Sequence, residues 1–385
     1  MTSGLAVVKV GTSSLSTKEG KLDEEEMRRL ADQIAGALKR SYKVVLVTSG
    51  AVAAGIAELG LARKPNHDIV FRQVSAATGQ SVLMAKYREL FKPHGVKVAQ
   101  ILLTAEDLSN RGSYLHTCNV LKMLLKMGLV PVVNENDVTS VDELKSVSEG
   151  FKVNFSDNDI LSALVANAIR ADILIILSDV DGLYTMNPRN PEAVMIKNVD
   201  DITSGLKNAS IDGKSSVGKG GMQSKIKAAE IATKGGIPVV IANSRRENVI
   251  LDILAGKEGV GTYFRARGRM PAVKTWLAFG ASVKGQIWVN EGAKRAILEG
   301  SSLLAVGITK VEGHFRVGDV VSIMGPDNSE FAKGNPNYNS DEINTLKGLQ
   351  VSEIRKRLGN ARSKEIVLRK KILLTVKGRE AEELC

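Results

Sequence analysis

Short apolar runs rich in β-branched residues alternate with helical stretches from residue 5 to about residue 255, and this alternation narrows the fold more than any other feature. The runs are 5–10 (Leu-Ala-Val-Val-Lys-Val), 44–47, 96–103, 130–133, 173–177 and 239–241. Between the first two, Met27, Leu30, Ile34 and Leu38 recur at helical spacing after an acid-rich start at 23–26, which reads as an amphipathic helix with negative charge at its N-terminus. Residues 160–169 and 222–233 also read as helices. Strands alternating with helices predict an α/β fold, a mostly parallel sheet covered by helices on both faces.

The pattern changes after residue 258. Residues 259–274 hold three arginines, three glycines and Pro271 and read as a linker. Beyond them come strand-like runs at 286–289, 313–315 and 320–323, a helix at 292–299 and a Leu/Val-rich end at 366–376. This predicts a separate, small β-rich domain over 275–385. A chain of 385 residues suits two domains.

No apolar run approaches the ~20 residues that span a bilayer, and the start of the chain lacks the pattern of a signal peptide. The two cysteines, Cys118 and Cys385, imply no disulfide framework, so a reducing cytoplasm is expected. Four scattered histidines give neither a zinc pattern nor a triad. The net charge of +11 suits an anionic small substrate or nucleic acid. Its densest cluster is Arg355, Lys356, Arg357, Arg362, Lys364, Arg369, Lys370 and Lys371. A solvated face is the plainer reading of that cluster, and an RNA-binding patch the alternative.

Lys9 lies inside the first apolar run, where an ammonium needs a negative partner. Gly11-Thr12-Ser13-Ser14 follows at once, a small polar loop of the kind that wraps an anion. Ligands collect at the carboxyl ends of parallel strands, and other strand ends here are polar too. Thr48-Ser49-Gly50 follows the second run, and Asn134-Glu135-Asn136-Asp137 the fourth. Asp157-Asn158-Asp159 opens the 160–169 helix, and Ser178-Asp179 ends the fifth run. Turn and cap chemistry explains any one of these clusters; several together suit the amino and carboxylate groups of an amino acid. The Gly218–Lys225 stretch enters a helix as an anion nest would. Gly213 to Lys219 imitates a P-loop, but Gly220 stands where the metal-binding hydroxyl is required, and that reading fails.

In order, V-V-K-V-G-T, V-T-S-G-A-V-A-A-G, V-N-E-N-D, D-N-D-I-L-S-A-L, S-D-V-D-G-L-Y-T and G-G-M-Q-S-K resemble the amino acid kinase family across residues 5–258. Within it they resemble the branch that phosphorylates glutamate. The C-terminal segment from Gly285, with Gly313-His314-Phe315 and Tyr338-Asn339-Ser340, resembles a PUA domain. The resemblance implies the family's αβα sandwich and ATP-dependent phosphorylation of the L-glutamate side-chain carboxylate, with Mg²⁺. It implies that Lys9 and Lys225 contact the transferring phosphoryl group of ATP, with Asp159 holding them in register. Ser49, Asp137 and Asn158 would bind glutamate. Ser178, Asp179 and the run Lys219, Gly220, Gly221, Met222, Gln223, Ser224 and Lys225 would contact ATP. It further implies a homo-oligomer and feedback inhibition by proline; contact with glutamate-5-semialdehyde dehydrogenase is a further partner to test. A sister kinase acting on another carboxylate is the alternative. Ser156, Lys219 and Asn187 depart from the residues common at their positions in the family.

Overall fold

The computed structural model describes residues 4–17, 20–61, 68–140, 157–188, 190–202, 221–266, 268, 270–358 and 363–375. The chain divides into two compact units. One holds the residues up to Asp107 and His116–Met270, the other Leu108–Leu115 and the residues from Pro271 onward.

The described residues of the first unit form ten strands: β1 (Leu5–Val10), β2 (Lys43–Val47), β3 (Val98–Leu103), β4 (Val130–Glu135), β5 (Ile173–Ser178), β6 (Leu183–Tyr184), β7 (Met195–Ile196), β8 (Asn198–Val199), β9 (Val239–Asn243) and β10 (Thr262–Phe264). Eight of them form one sheet in the order β3-β4-β2-β1-β5-β9-β10-β8, while β6 and β7 pair separately. Within the large sheet every pairing is parallel except β9 with β10. The predicted parallel sheet is therefore present, and β1 lies in its interior as the continuous apolar run requires.

The described helices lying wholly or partly in this unit are α1 (Thr12–Leu15), α2 (Glu24–Lys39), α3 (Ala51–Glu58), α4 (Ile69–Phe91), α5 (Ala105–Ser109), α6 (Arg111–Lys126), α7 (Asn158–Ile169), α8 (Gly221–Lys234) and α9 (Val249–Leu254). Asp23 caps α2 by accepting from the Glu26 amide, and three glutamates fill its first turn, complementing the helix dipole. Met27, Leu30 and Ile34 then pack against Val8, Val44 and Leu46 in one apolar core. Each such burial contributes about 1.5–3 kcal/mol.

Helices α3 and α4 cross at glycines. A Cβ on Gly55 would lie 1.7 Å from the Ser75 carbonyl oxygen, and one on Gly79 would lie 1.9 Å from that of Ala51. No other residue allows this approach. At the start of α3, Gly50 adopts φ +107, a left-handed conformation that glycine enters without steric cost.

Two expectations are corrected. The segment expected as a linker, 259–274, contains β10, which pairs with β9 on one side and β8 on the other, and the first unit runs to Met270. Residues 313–315 form no strand: Gly313 turns the chain at φ +83, and Phe315 is buried beyond it.

The second unit is β-rich, as expected. Five strands, Val283–Val289, Ile308–Glu312, Val320–Met324, Glu330–Gly334 and Ile372–Leu374, form a sheet over a core that includes Ile287, Phe331, Tyr338 and Ile343. The Tyr338-Asn339-Ser340 motif has a local reason. Asn339 and Glu342 form a reciprocal capping box that starts the Ser340–Leu346 helix and anchors the buried Tyr338 beside it. Of the basic cluster, Arg355, Lys356, Lys364, Arg369 and Lys370 are exposed, as a solvated face requires. No described helix is long and apolar enough to cross a membrane.

Candidate active site

The carboxyl ends of β1, β2, β4 and β5 lie side by side. Lys9 is in register with Val47 on one side and Ile176 on the other, and Val47 with Val133. Ser49, Asn134 and Ser178 therefore share the edge that carries Lys9.

Lys9 is 4% exposed. A lysine snorkelling into water would keep its ammonium in solvent, and Lys9 does not. Its Nζ forms an ion pair with Asp159 Oδ1. Lys225, on the first turns of α8, reaches the other oxygen of the same carboxylate at 3.0 Å and the Gly221 carbonyl at 3.0 Å. Ser224 donates to Asp159 Oδ2 at 2.9 Å. Asp159 is placed by the cap of α7, where Asp157 accepts from the Asp159 amide at 2.9 Å.

Burial pushes the Asp159 carboxyl up, but the ammonium groups of Lys9 and then Lys225 outweigh it and hold it below its ordinary value. One carboxylate facing two ammonium groups leaves a local surplus of positive charge. Such a centre is suited to a polyanion.

Beside it lies a neutral cluster. Asn158 Nδ2 donates to Ser49 Oγ at 3.0 Å and to Asn134 Oδ1 at 3.1 Å. Asn134 Nδ2 donates in turn to Gln80 Oε1 on α4 at 3.0 Å. Underneath, the buried Tyr87 hydroxyl meets Thr48 Oγ1 at 2.7 Å, bracing the residue before Ser49.

The structure thus brings together Lys9, Asp159, Lys225, Ser224 and Gly221 in one centre, and Ser49 and Asn158 in the other. Asp137 is half-buried in the loop just beyond β4. Ser178 and Asp179 pair with each other at 3.1 Å at the end of β5. Met222 and Gln223 lie in the first turn of α8, and Lys219, Gly220, Ser156 and the P-loop-like stretch fall outside the described residues. Ser224, expected as a nucleotide contact, turns its hydroxyl to Asp159 and to the Gly221 carbonyl.

Two members were missed. Asn134 stood inside a polar cluster already singled out, without a role. Gln80 carries no sequence signal of its own except the neighbouring Gly79.

The family model for the amino acid kinase family matches residues 4–243, and that for the PUA domain matches residues 285–358. The glutamate 5-kinase of Thermoanaerobacter sp. (strain X514) is 41% identical over 374 residues, covering 97% of this chain and 98% of that protein. The glutamate 5-kinase of Moorella thermoacetica is 43% identical over 371 residues, covering 96% and 95%. Among solved structures, the carbamate kinase from Giardia lamblia bound to AMP-PNP aligns at a TM-score of 0.50 and 18% identity, over 69% of this chain and 99% of that one; that likeness concerns the fold alone. A parallel sheet with two lysines on one carboxylate at its carboxyl edge, a matching family model over most of that unit and full-length relatives above 40% identity agree, and the chain belongs to the amino acid kinase family.

Proposed function

We propose that this chain transfers the γ-phosphoryl group of ATP to the side-chain carboxylate of L-glutamate, giving L-glutamyl 5-phosphate, the first step of proline synthesis from glutamate. The observation that carries the reading is the pairing of Lys9 and Lys225 on Asp159 next to the Ser49–Asn158–Asn134 cluster. The full-length glutamate 5-kinase relatives support the choice of substrate.

The chemistry suits these residues. A glutamate side chain, with a pKa near 4.3, is ionised at neutral pH and attacks without a general base. One carboxylate oxygen bonds to the γ-phosphorus as the bond from that phosphorus to the β–γ bridging oxygen of ATP breaks, and the electron pair leaves on ADP. The obstacle is charge, since an anion must approach a polyanion through a loose transition state. Lys9 and Lys225 neutralise the phosphoryl oxygens as charge shifts. Asp159 keeps the two ammonium groups at a fixed separation.

Ser49, Asn158 and Asp137 hold glutamate. Ser178, Asp179 and, apart from Ser224, the Lys219–Lys225 stretch hold ATP. Mg²⁺ enters as the counter-ion of the nucleotide phosphates and lowers their charge. Asp159, with both oxygens taken by ammonium groups, is not its ligand.

Catalysis belongs to the first unit, and a regulatory or assembly role to the β-rich unit. Proline competes at the glutamate site, the enzyme works as a homo-oligomer in the cytoplasm, and its labile product favours contact with glutamate-5-semialdehyde dehydrogenase. ATP, Mg²⁺ and L-glutamate with hydroxylamine test the central reading by trapping the acyl phosphate as a hydroxamate. Formation with L-glutamate, and not with aspartate or acetylglutamate, is expected. Preference for either control overturns it.

A further inference from the structure

The neutral cluster has a fixed polarity. The Glu135 backbone amide donates to Asn134 Oδ1 at 2.9 Å, and a backbone N–H can only donate. That contact makes Asn134 Oδ1 the acceptor and turns Asn134 Nδ2 outward to Gln80, whose Oε1 must then receive it. Asn158 also approaches Asn134 Oδ1, so its Nδ2 faces inward. One amide hydrogen thus sets three side chains.

The consequence is a pair of orphans. Gln80 Nε2 and Asn158 Oδ1 are both buried and, among the described residues, have no hydrogen-bond partner. Gln80 is 9% exposed. Neither side chain can flip to pair its free atom without breaking the chain that starts at Glu135. A buried polar atom without a partner is costly, and here two of opposite kind stand in one network, a donor and an acceptor.

An α-amino acid offers the complement. Its carboxylate only accepts and its ammonium only donates, on adjacent atoms. Resting on the glutamate reading above, we infer that Gln80 is a substrate-binding residue: its Nε2 donates to the α-carboxylate of the amino acid, while Asn158 Oδ1 accepts from the α-ammonium. The direction of the substrate follows. Asn158 and Asp159 are consecutive in α7, one in the amide cluster and the other in the lysine centre. Anchoring the α-groups at the amides sends the side-chain carboxylate toward Lys9 and Lys225. The Gly55–Gly79 crossing gives the reach, because it draws α4 close to α3 and sets Gln80 against β4.

Two variants of the full chain test this. Gln80→Glu keeps an acceptor for Asn134 and removes the donor; Gln80→Met removes both. The KM for L-glutamate should rise at least tenfold in each, with the KM for ATP within twofold of wild type. Two competitive analogues sharpen the result: 4-aminobutyrate lacks the α-carboxylate, and glutarate carries a second carboxylate without the ammonium. The inhibition constant of 4-aminobutyrate should stay within twofold of wild type, whereas that of glutarate should rise with the glutamate KM. A glutamate KM within twofold of wild type in Gln80→Glu overturns the inference, because Gln80 would then only brace Asn134. Equal weakening of both analogues overturns it for the same reason, and so does failure of both variants to fold. A wild-type enzyme that forms no hydroxamate with L-glutamate sinks the underlying reading instead, whatever the variants do.

Discussion

The two halves of the site solve opposite problems. The lysine centre is highly charged, yet both oxygens of Asp159 are already held in the resting protein. The amide cluster carries no formal charge, yet it leaves a donor and an acceptor unmet. Charge inside a protein must be paired at all times, because an isolated buried ion costs far more than an unmet amide. The charged half is consequently assembled before any ligand arrives and gains only from its surplus cation. On the function proposed above, selectivity for the amino acid falls to the half that can tolerate waiting unsatisfied.

The largest expected effect breaks the charged half. Lys9→Ala or Lys225→Ala should lower kcat by about 10²–10³-fold, the range seen when one preorganised transition-state donor is lost. The KM for glutamate should move little, because the ammonium acts on the transition state more than on bound substrate. Steady-state kinetics with the hydroxamate readout checks this, and a preserved kcat in either variant removes that lysine from the reaction.

Asp159 comes next, and its effect reaches stability. Asp159→Ala leaves two buried ammonium groups without their shared partner, at a cost of about 3–5 kcal/mol. Its pH dependence has a definite sign. The folded carboxyl titrates below its ordinary value of 3.8, so its stabilising contribution is fully present above that value and disappears as pH falls through the lowered one. Thermal unfolding of the wild type should therefore lose more stability below about pH 4 than Asp159→Asn does. Parallel acid limbs would mean that Asp159 is not the stabilising carboxylate.

These two halves were unequally legible in the sequence. A lysine inside an apolar run betrays itself, since Lys9 breaks a pattern that the strand otherwise obeys. The helices and parallel strands were readable for the same reason, their periodicity being a direct image of burial. The amides break no pattern. Asn134 looked like turn chemistry, and Gln80 sits 54 residues away from it in the chain, on a helix where a glutamine is unremarkable. Their meaning depends on which way each side chain points, and one backbone amide far from Gln80 decides that. Strand β10 escaped for a simpler reason. Three residues among glycines and arginines carry too little periodicity to mark a strand, and only their pairing with β9 and β8 makes them one.

Breaking the neutral half should be gentler on kcat. Asp137→Ala, in the loop that follows Asn134, should raise the glutamate KM about tenfold, equivalent to about 1.4 kcal/mol of lost binding, with kcat largely kept. An unchanged KM removes Asp137 from the substrate site and leaves the amides to bind alone.

The smallest effect sharpens the comparison most, because it asks to which half Ser224 belongs. As a nucleotide contact, its loss should raise the KM for ATP. As the third group on Asp159, at 2.9 Å, its loss removes one hydrogen bond to a carboxylate that keeps both lysines. A hydrogen bond to a charged group contributes about 1.5–3 kcal/mol, and here the remaining ion pairs cushion the loss. Ser224→Ala should therefore lower thermal stability slightly and kcat a few-fold, leaving the KM for ATP unchanged. Ser224→Thr, which retains the hydroxyl, should restore kcat. A rise in the ATP KM in the alanine variant, with kcat and stability intact, would return Ser224 to the nucleotide and leave the charged centre to the two lysines and Asp159 alone.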